Sequence, residues 1–172
     1  LWETGARVNY GLKLSHFFNK EGIFSGMIGQ SYKFKNPDFF DKGSGLEKKL
    51  SDFLVDLSFK PNKEITFSYR GRLDENDINL RRSEFDMLLT YEKWGVRAGH
   101  VLLNNVEILN FKEQRELRFA SFINITERWL VQSAIRYDEI SKKSLNNRIS
   151  LVYIDDCISC LLYTSPSPRD RG

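Results

Sequence analysis

The sequence is poor in the residues from which most catalytic and metal sites are built. It contains two histidines, His16 and His100, and two cysteines, and these do not fall at a zinc-ligand spacing. No glycine-rich phosphate loop occurs, and the paired carboxylates of "IDDC" suit a polar strand end. The net charge of +3 is scattered along the chain, which argues against a nucleic-acid partner. The sequence therefore predicts no cofactor and no metal.

Long hydrophobic runs are also missing. No stretch of eighteen apolar residues occurs, which excludes a transmembrane helix. A membrane stays possible, because a spanning β-strand needs only about ten residues, of which only about half are apolar. Hydrophobic residues make up 41% of the chain and aromatic residues 13%, so disorder is not expected.

What the sequence does contain is a recurring alternation of apolar and polar residues. Between Phe53 and Asp74, apolar residues alternate with polar ones on both sides of "KPNK", which predicts an antiparallel hairpin. The same rhythm recurs along most of the chain and predicts about nine strands of roughly ten to fourteen residues, with no helix. Strands of globular proteins most often have about five or six residues. The predicted strands are longer than that.

The predicted connections alternate between short and longer ones. The short links lie near 18–22, 61–63, 92–93 and 126–128, and the longer ones near 36–49, 74–79, 104–114 and 139–146. Long strands with loops sorted in this way are typical of outer-membrane barrels. We therefore predict an all-β fold, an antiparallel up-and-down meander that is part of a large transmembrane outer-membrane β-barrel and is not closed. Trp94 and Trp129 follow short turns, where an interfacial aromatic belt would lie, although they could also be core tryptophans.

Charged residues fall on the strand positions opposite the aromatic ones. In a barrel these positions would line a wet lumen, where opposite charges on neighbouring strands can pair. A solvated face of a soluble sheet would carry similar charges, but strand length and loop sorting favour the barrel. The candidate lumen-lining residues are Arg70, Arg72, Arg82, Glu84, Asp86, Arg97, Arg118 and Arg136.

The sequence shows no catalytic constellation. "AGHVLL" around His100 has no nucleophile elbow, and no Ser or Asp stands at a spacing that suggests a triad. An outer-membrane lipid hydrolase that pairs His100 with a Ser of a neighbouring strand is the alternative. A single His within a strand is the simpler reading, so we predict that the chain is not an enzyme.

Both ends of the chain look artificial. It opens at Leu1 without an initiator Met, and residues 160–170, "CLLYTSPSPRD", resemble a translated sequencing adapter. A natural Pro/Ser-rich linker is the alternative. We expect residues 1–159 to be the C-terminal part of the barrel domain and 160–172 an artefactual tail, in a reading frame truncated at both ends. Only Cys157 would then be a genuine cysteine.

Three segments resemble one known family. "GQSYKF" at 29–34, "SYRGRLDENDINLRRSEFD" at 68–86 and "VYIDDC" at 152–157 are similar to the C-terminal barrel of the LPS-assembly protein LptD in its alphaproteobacterial form. The resemblance extends over most of residues 1–159. It implies a translocon of the Gram-negative cell outer membrane that inserts lipopolysaccharide (LPS) into the outer leaflet. A generic porin-like channel, whose lumen charges would set solute selectivity, is the alternative.

The resemblance also implies partners and a disulfide. The partners would be LPS, an LptE-type plug lipoprotein, the periplasmic Lpt bridge components and the barrel-assembly machinery. Cys157 matches the family's disulfide-forming cysteines near the end of the barrel. If short turns are periplasmic, strand 147–155 descends to that side, so Cys157 would enter an oxidising compartment. Alternatively, Cys157 is a small buried hydrophobic residue.

Overall fold

The computed structural model describes residues 6–18, 21–35, 48–104, 113–156 and 158–164. These residues form one sheet of ten antiparallel strands, in which each strand pairs with the next one along the chain. The strands are β1 (Arg7–Phe18), β2 (Gly22–Lys33), β3 (Phe53–Lys60), β4 (Ile65–Leu73), β5 (Leu80–Thr90), β6 (Trp94–Leu103), β7 (Gln114–Asn124), β8 (Trp129–Asp138), β9 (Lys143–Ile154) and β10 (Ser159–Thr164). The all-β meander is confirmed. Within these ranges there is no helical segment with the length and hydropathy of a membrane span.

The described ranges hold one strand more than the nine or so expected. The additional strand is β10, most of which falls in the tail that the sequence set apart, and it pairs with β9 from Ser159 opposite Ile154 to Thr164 opposite Ile149. Leu, Tyr and Thr suit a strand, and the pairing satisfies backbone groups at the edge of β9. The assignment of residues 1–159 to the barrel and of 160–172 to a foreign tail stays a prediction.

The links between strands lie alternately at two edges of the sheet. Of the described link residues, the short-turn edge carries 21, 61–64, 91–93, 125–128, 155–156 and 158, and the long-loop edge carries 34–35, 48–52, 74–79, 104, 113 and 139–142. The predicted alternation of lengths is wrong at its last step, since 139–142 is no longer than 125–128. Asp138 tightens this turn by accepting the Ile140 N–H (3.0 Å) and the Ser141 hydroxyl (2.7 Å), and Lys142 adopts a φ of 54°.

One face of the sheet, the apolar face, carries the aromatic rows, and none of the described residues covers it. Phe18, Phe59, Phe67 and Phe85 follow one another across it, with ring centroids 5.6, 6.2 and 6.5 Å apart. Phe119 is 43% exposed, and Val101 is the one buried hydrophobic side chain among the described residues. These residues provide no second layer of protein against the apolar face. An exposed apolar surface of this extent requires another apolar phase, such as lipid.

Aromatic residues also mark the short-turn edge. Trp94 contacts Tyr91 with ring centroids 4.8 Å apart, and Trp129 contacts Tyr153 at 4.9 Å. Each tryptophan is 39% exposed, so neither is a core tryptophan. Their positions at the strand ends are those of an interfacial aromatic belt.

Candidate functional site on the charged face

The second face of the sheet, the charged face, carries all eight of the predicted charged residues. In an antiparallel pair, directly opposite residues point to the same face, so the register assigns each side chain to a face. One row across the strands runs from Arg70 to Glu84, Val101 and Glu116. On one side of this row, Arg72 is opposite Arg82. On the other side, Asp86, Gly99, Arg118 and Arg136 form the next row, and Arg97 lies in the row after that.

Glu84 joins two arginines from neighbouring strands. Its carboxylate accepts a hydrogen bond from Arg82 Nε at 2.5 Å and lies 4.0 Å from Arg70 Nη2. The Glu84 side chain is 11% exposed, whereas those of Arg82 and Arg70 are 49% and 57% exposed. The carboxylate is therefore shielded beneath two guanidinium groups that remain open to solvent.

Glu116 repeats this arrangement on β7 and β8. It accepts a hydrogen bond from Arg118 Nε at 2.7 Å, and Arg136 donates two more, from Nε at 2.8 Å and from Nη2 at 2.7 Å. The two-pronged contact of Arg136 is the strong bidentate form of this ion pair. Each of these two groups, with two arginines and one glutamate, keeps one surplus positive charge.

A third ion pair depends on a glycine. Arg97 Nε donates to Asp86 Oδ1 at 3.0 Å. Asp86 is buried against Gly99, where a Cβ would lie 2.7 Å from that oxygen. Gly99 therefore makes room for the carboxylate.

The last predicted residue, Arg72, belongs to an ion-pair cluster at the long-loop edge. Asp52, which is 2% exposed, lies 3.2 Å from Arg72 Nε and 3.3 Å from Arg81 Nη1. Arg81 also donates to Asp74, and Lys48 Nζ lies 2.5 Å from Glu75 Oε1. Arg72 is the one residue of this cluster among the sequence candidates; Arg81 and the carboxylates are not among them.

A β-bulge brings Arg81 into the cluster. Arg72 is opposite Arg82 and Leu73 is opposite Leu80, so Arg81 is the extra residue between the two pairs. A bulge changes the direction of a side chain relative to regular alternation. The signal in the sequence was the consecutive pair Arg81 and Arg82, because two neighbouring side chains cannot both point to the same face of a regular strand.

Electrostatics argue against a metal in this cluster. Oxygens of Asp52, Asp74 and Glu75 lie within 4.8 Å of one another, as in a cation site. Burial raises the pKa of Asp52 to about 6, although Arg81 and Arg72 oppose that rise. The backbone N–H of Asn76 lowers the pKa of Asp74. Because arginine and lysine nitrogens already contact these carboxylates, the cluster is a set of ion pairs rather than a metal centre.

Two further residues were singled out in the sequence, His100 and Cys157. His100 lies on the apolar face, where its Nε2 is 3.0 Å from Glu139 Oε2. Within the described ranges no hydrogen bond joins His100 to a serine, so the hydrolase alternative gains no support. Cys157 lies outside the described residues. Its disulfide stays a prediction.

A single antiparallel sheet with one exposed apolar face and one ion-paired face defines a class of protein. This class is the transmembrane β-barrel, whose wall is apolar toward lipid and charged toward water. The model of one family, LptD (LPS transport system D), matches residues 1–129, and the chain therefore belongs to the LptD family. The matched range spans β1 to β7 and ends where β8 begins. No curated protein matches the chain.

Proposed function

We propose that this sheet is part of the wall of an outer-membrane translocon that inserts LPS into the outer leaflet of a Gram-negative cell. Membership of the LptD family supports a role in LPS transport and outer-membrane assembly. The observation that carries the finer proposal is the charged face, where carboxylates that are largely shielded from solvent hold half-exposed arginines in place. The alphaproteobacterial type of the family, suggested by the sequence, is part of this proposal.

In this proposal the charged face lines the lumen. Its eight candidate residues are six arginines and two carboxylates, and Glu116 and Asp52 add two further carboxylates through their arginine partners. Each guanidinium group has five N–H donors, so an arginine that is bound to a carboxylate still has donors to offer. Guanidinium groups suit phosphate oxygens geometrically. A lumen with surplus arginine favours an anionic glycolipid over a neutral solute.

The partners follow from the family rather than from contacts. We propose an LptE-type plug lipoprotein within the lumen, the periplasmic Lpt bridge components as the source of LPS, and the barrel-assembly machinery as the insertase. Cys157 would form a disulfide with the periplasmic part of the translocon.

The proposal can be tested in cells that depend on the full-length protein. The triple variant Arg118→Gln, Arg136→Gln and Glu116→Gln removes one ion-paired group and its surplus charge. We expect normal protein level in the outer membrane and a severalfold loss of newly made LPS at the surface, measured by pulse labelling and surface modification. The matched control, Glu113→Gln with Arg115→Gln, removes an exposed ion pair at one end of β7 and should leave LPS unchanged.

One result would replace the proposal. If surface LPS stays normal in the triple variant while the uptake of small charged solutes changes, the lumen is that of a porin-like channel.

A further inference from the structure

A hollow interrupts the charged face toward the short-turn edge. The register aligns Leu88, Arg97, Ala120, Ala134 and Arg148 in one row across β5 to β9. The two alanines at the centre of the row are short, and the arginines at either side are long. The result is a hollow of about 290 Å³, which Phe122, Gln132 and Ser150 also line.

The hollow has an apolar floor with a polar margin. Phe122 lies across Gly95, where a Cβ would be only 2.3 Å from the ring, so the ring packs against the sheet instead of filling the space above it. Ala120 and Ala134 continue this apolar surface, while the Gln132 amide and the Ser150 hydroxyl line its margin. An apolar recess with a few convergent polar groups is the usual form of a small-ligand site.

The charges around the hollow are unbalanced. Arg148 is exposed, and its described contact is with the Tyr163 ring, 5.8 Å from the ring centroid; no carboxylate among the described residues pairs with it. Arg97 is bound to Asp86, and the neighbouring Arg118 and Arg136 share Glu116. Arg97 and Arg148 line the hollow, and Arg118 and Arg136 lie in the neighbouring row. With two carboxylates among them, these four arginines leave two surplus positive charges.

We propose that this hollow binds a phosphate group carried on an apolar or saccharide body, with the phosphate between Arg97 and Arg148 and the body on Ala120, Ala134 and Phe122. A phosphate monoester carries about −1.5 to −2 charges at pH 7, which matches the surplus. The two arginines are three strands apart, about 14 Å between Cα atoms, so both can extend over the alanines toward one ligand. The inference rests on the proposed function in placing this face toward the lumen, and it adds a specific site there.

The test is calorimetric titration of the full chain in neutral detergent, with its fold confirmed by circular dichroism. The probes are inorganic phosphate, glucose 1-phosphate and dodecyl phosphate, with glucose as the uncharged control. We expect glucose 1-phosphate or dodecyl phosphate to bind more tightly than inorganic phosphate, and the tighter of the two identifies a sugar or a lipid as the natural body. Equal binding of all three, or no binding, overturns the site.

Matched variants separate a site from general charge attraction. Arg148→Gln should weaken the better probe on the order of tenfold, as expected for the loss of a charged hydrogen-bond donor. Arg128→Gln makes the same change in net charge at the 125–128 turn, where Arg128 lies 3.6 Å from Asp155, and should stay within about twofold. Ala134→Phe fills the hollow and should abolish binding while every arginine is kept. Equal losses in the two arginine variants would contradict the inference.

The outcome is independent of the transport test. Absence of phosphate binding with normal LPS delivery by the unmodified protein would overturn this site alone. Phosphate binding in a protein that does not deliver LPS would retain the site and overturn the proposed function.

Discussion

Glu116 is the side chain whose neutralisation should disturb the charged face most. Its carboxylate accepts three hydrogen bonds at 2.7–2.8 Å from two arginines, and its side chain is 14% exposed. Arg118 and Arg136 are directly opposite each other on β7 and β8, so Glu116 also screens their mutual repulsion. Glu116→Gln keeps the shape and removes the charge.

The magnitude follows from burial and geometry. A hydrogen bond to a charged group contributes about 1.5–3 kcal/mol when buried, whereas exposed ion pairs contribute about 0.2–1 kcal/mol. The arginines here are about half exposed, and the new amide oxygen still accepts one hydrogen bond. We therefore expect Glu116→Gln to lower the free energy of unfolding by about 2 kcal/mol.

The assay is equilibrium urea unfolding in lipid vesicles, followed by the fluorescence of Trp94 and Trp129. Glu113→Gln is the control, because Glu113 is exposed and its described ion pair is with Arg115 alone; it should cost less than about 0.5 kcal/mol. A double-mutant cycle with Arg136→Gln should give a coupling free energy of about 1 kcal/mol. Equal losses for the two glutamate variants, or no coupling to Arg136, would refute the assigned role of Glu116.

Three further predictions concern other parts of the sheet. Burial raises the pKa of Asp52 to about 6, so the folded state binds the proton of this carboxyl group more tightly than the unfolded state does. The local free energy of unfolding should therefore be highest below about pH 4 and fall by up to about 3 kcal/mol as the pH rises through about 6. Hydrogen exchange at Ser51, corrected for the intrinsic rate, should show this fall, and Asp52→Asn should abolish it. Leu57→Arg on the apolar face should cost about 2–4 kcal/mol in vesicles and its neighbour Ser58→Arg at most about 1, whereas equal costs would contradict the assignment of faces. Gly11→Ala places a Cβ 2.5 Å from a backbone carbonyl oxygen of β2, so the variant should unfold at a lower temperature than the unmodified protein. The measurement is the temperature at which the folded band is lost on electrophoresis, and an unchanged temperature would argue against this close approach.

The division of the sheet into two faces could be read from the sequence. Successive residues of a strand point to opposite sides, so the alternation around Phe67 and Arg70 assigned each to its face without knowledge of any partner. The partners could not be read in this way. Glu116 lies two residues from Arg118 but twenty from Arg136, and only the register of β7 against β8 brings Arg136 to it.

The long-loop edge shows where alternation fails. Asp52 follows a long connection and Arg81 occupies a bulge, so neither lies where a regular period of two would place it. The predicted length of the last link was wrong for a related reason. The hydrogen bonds of Asp138 and the positive φ of Lys142 shorten a link that composition alone predicts to be longer.

The sequence by itself determined a meander of long two-faced strands, because the direction of each side chain is set locally by the geometry of the extended backbone. Only the tertiary structure decided which charges meet, which strand β9 accepts at its edge, and where two alanines leave a hollow between arginines. These features depend on strand register, which turns and bulges set between residues far apart in the chain, and a shift of one position would give every charge a different neighbour.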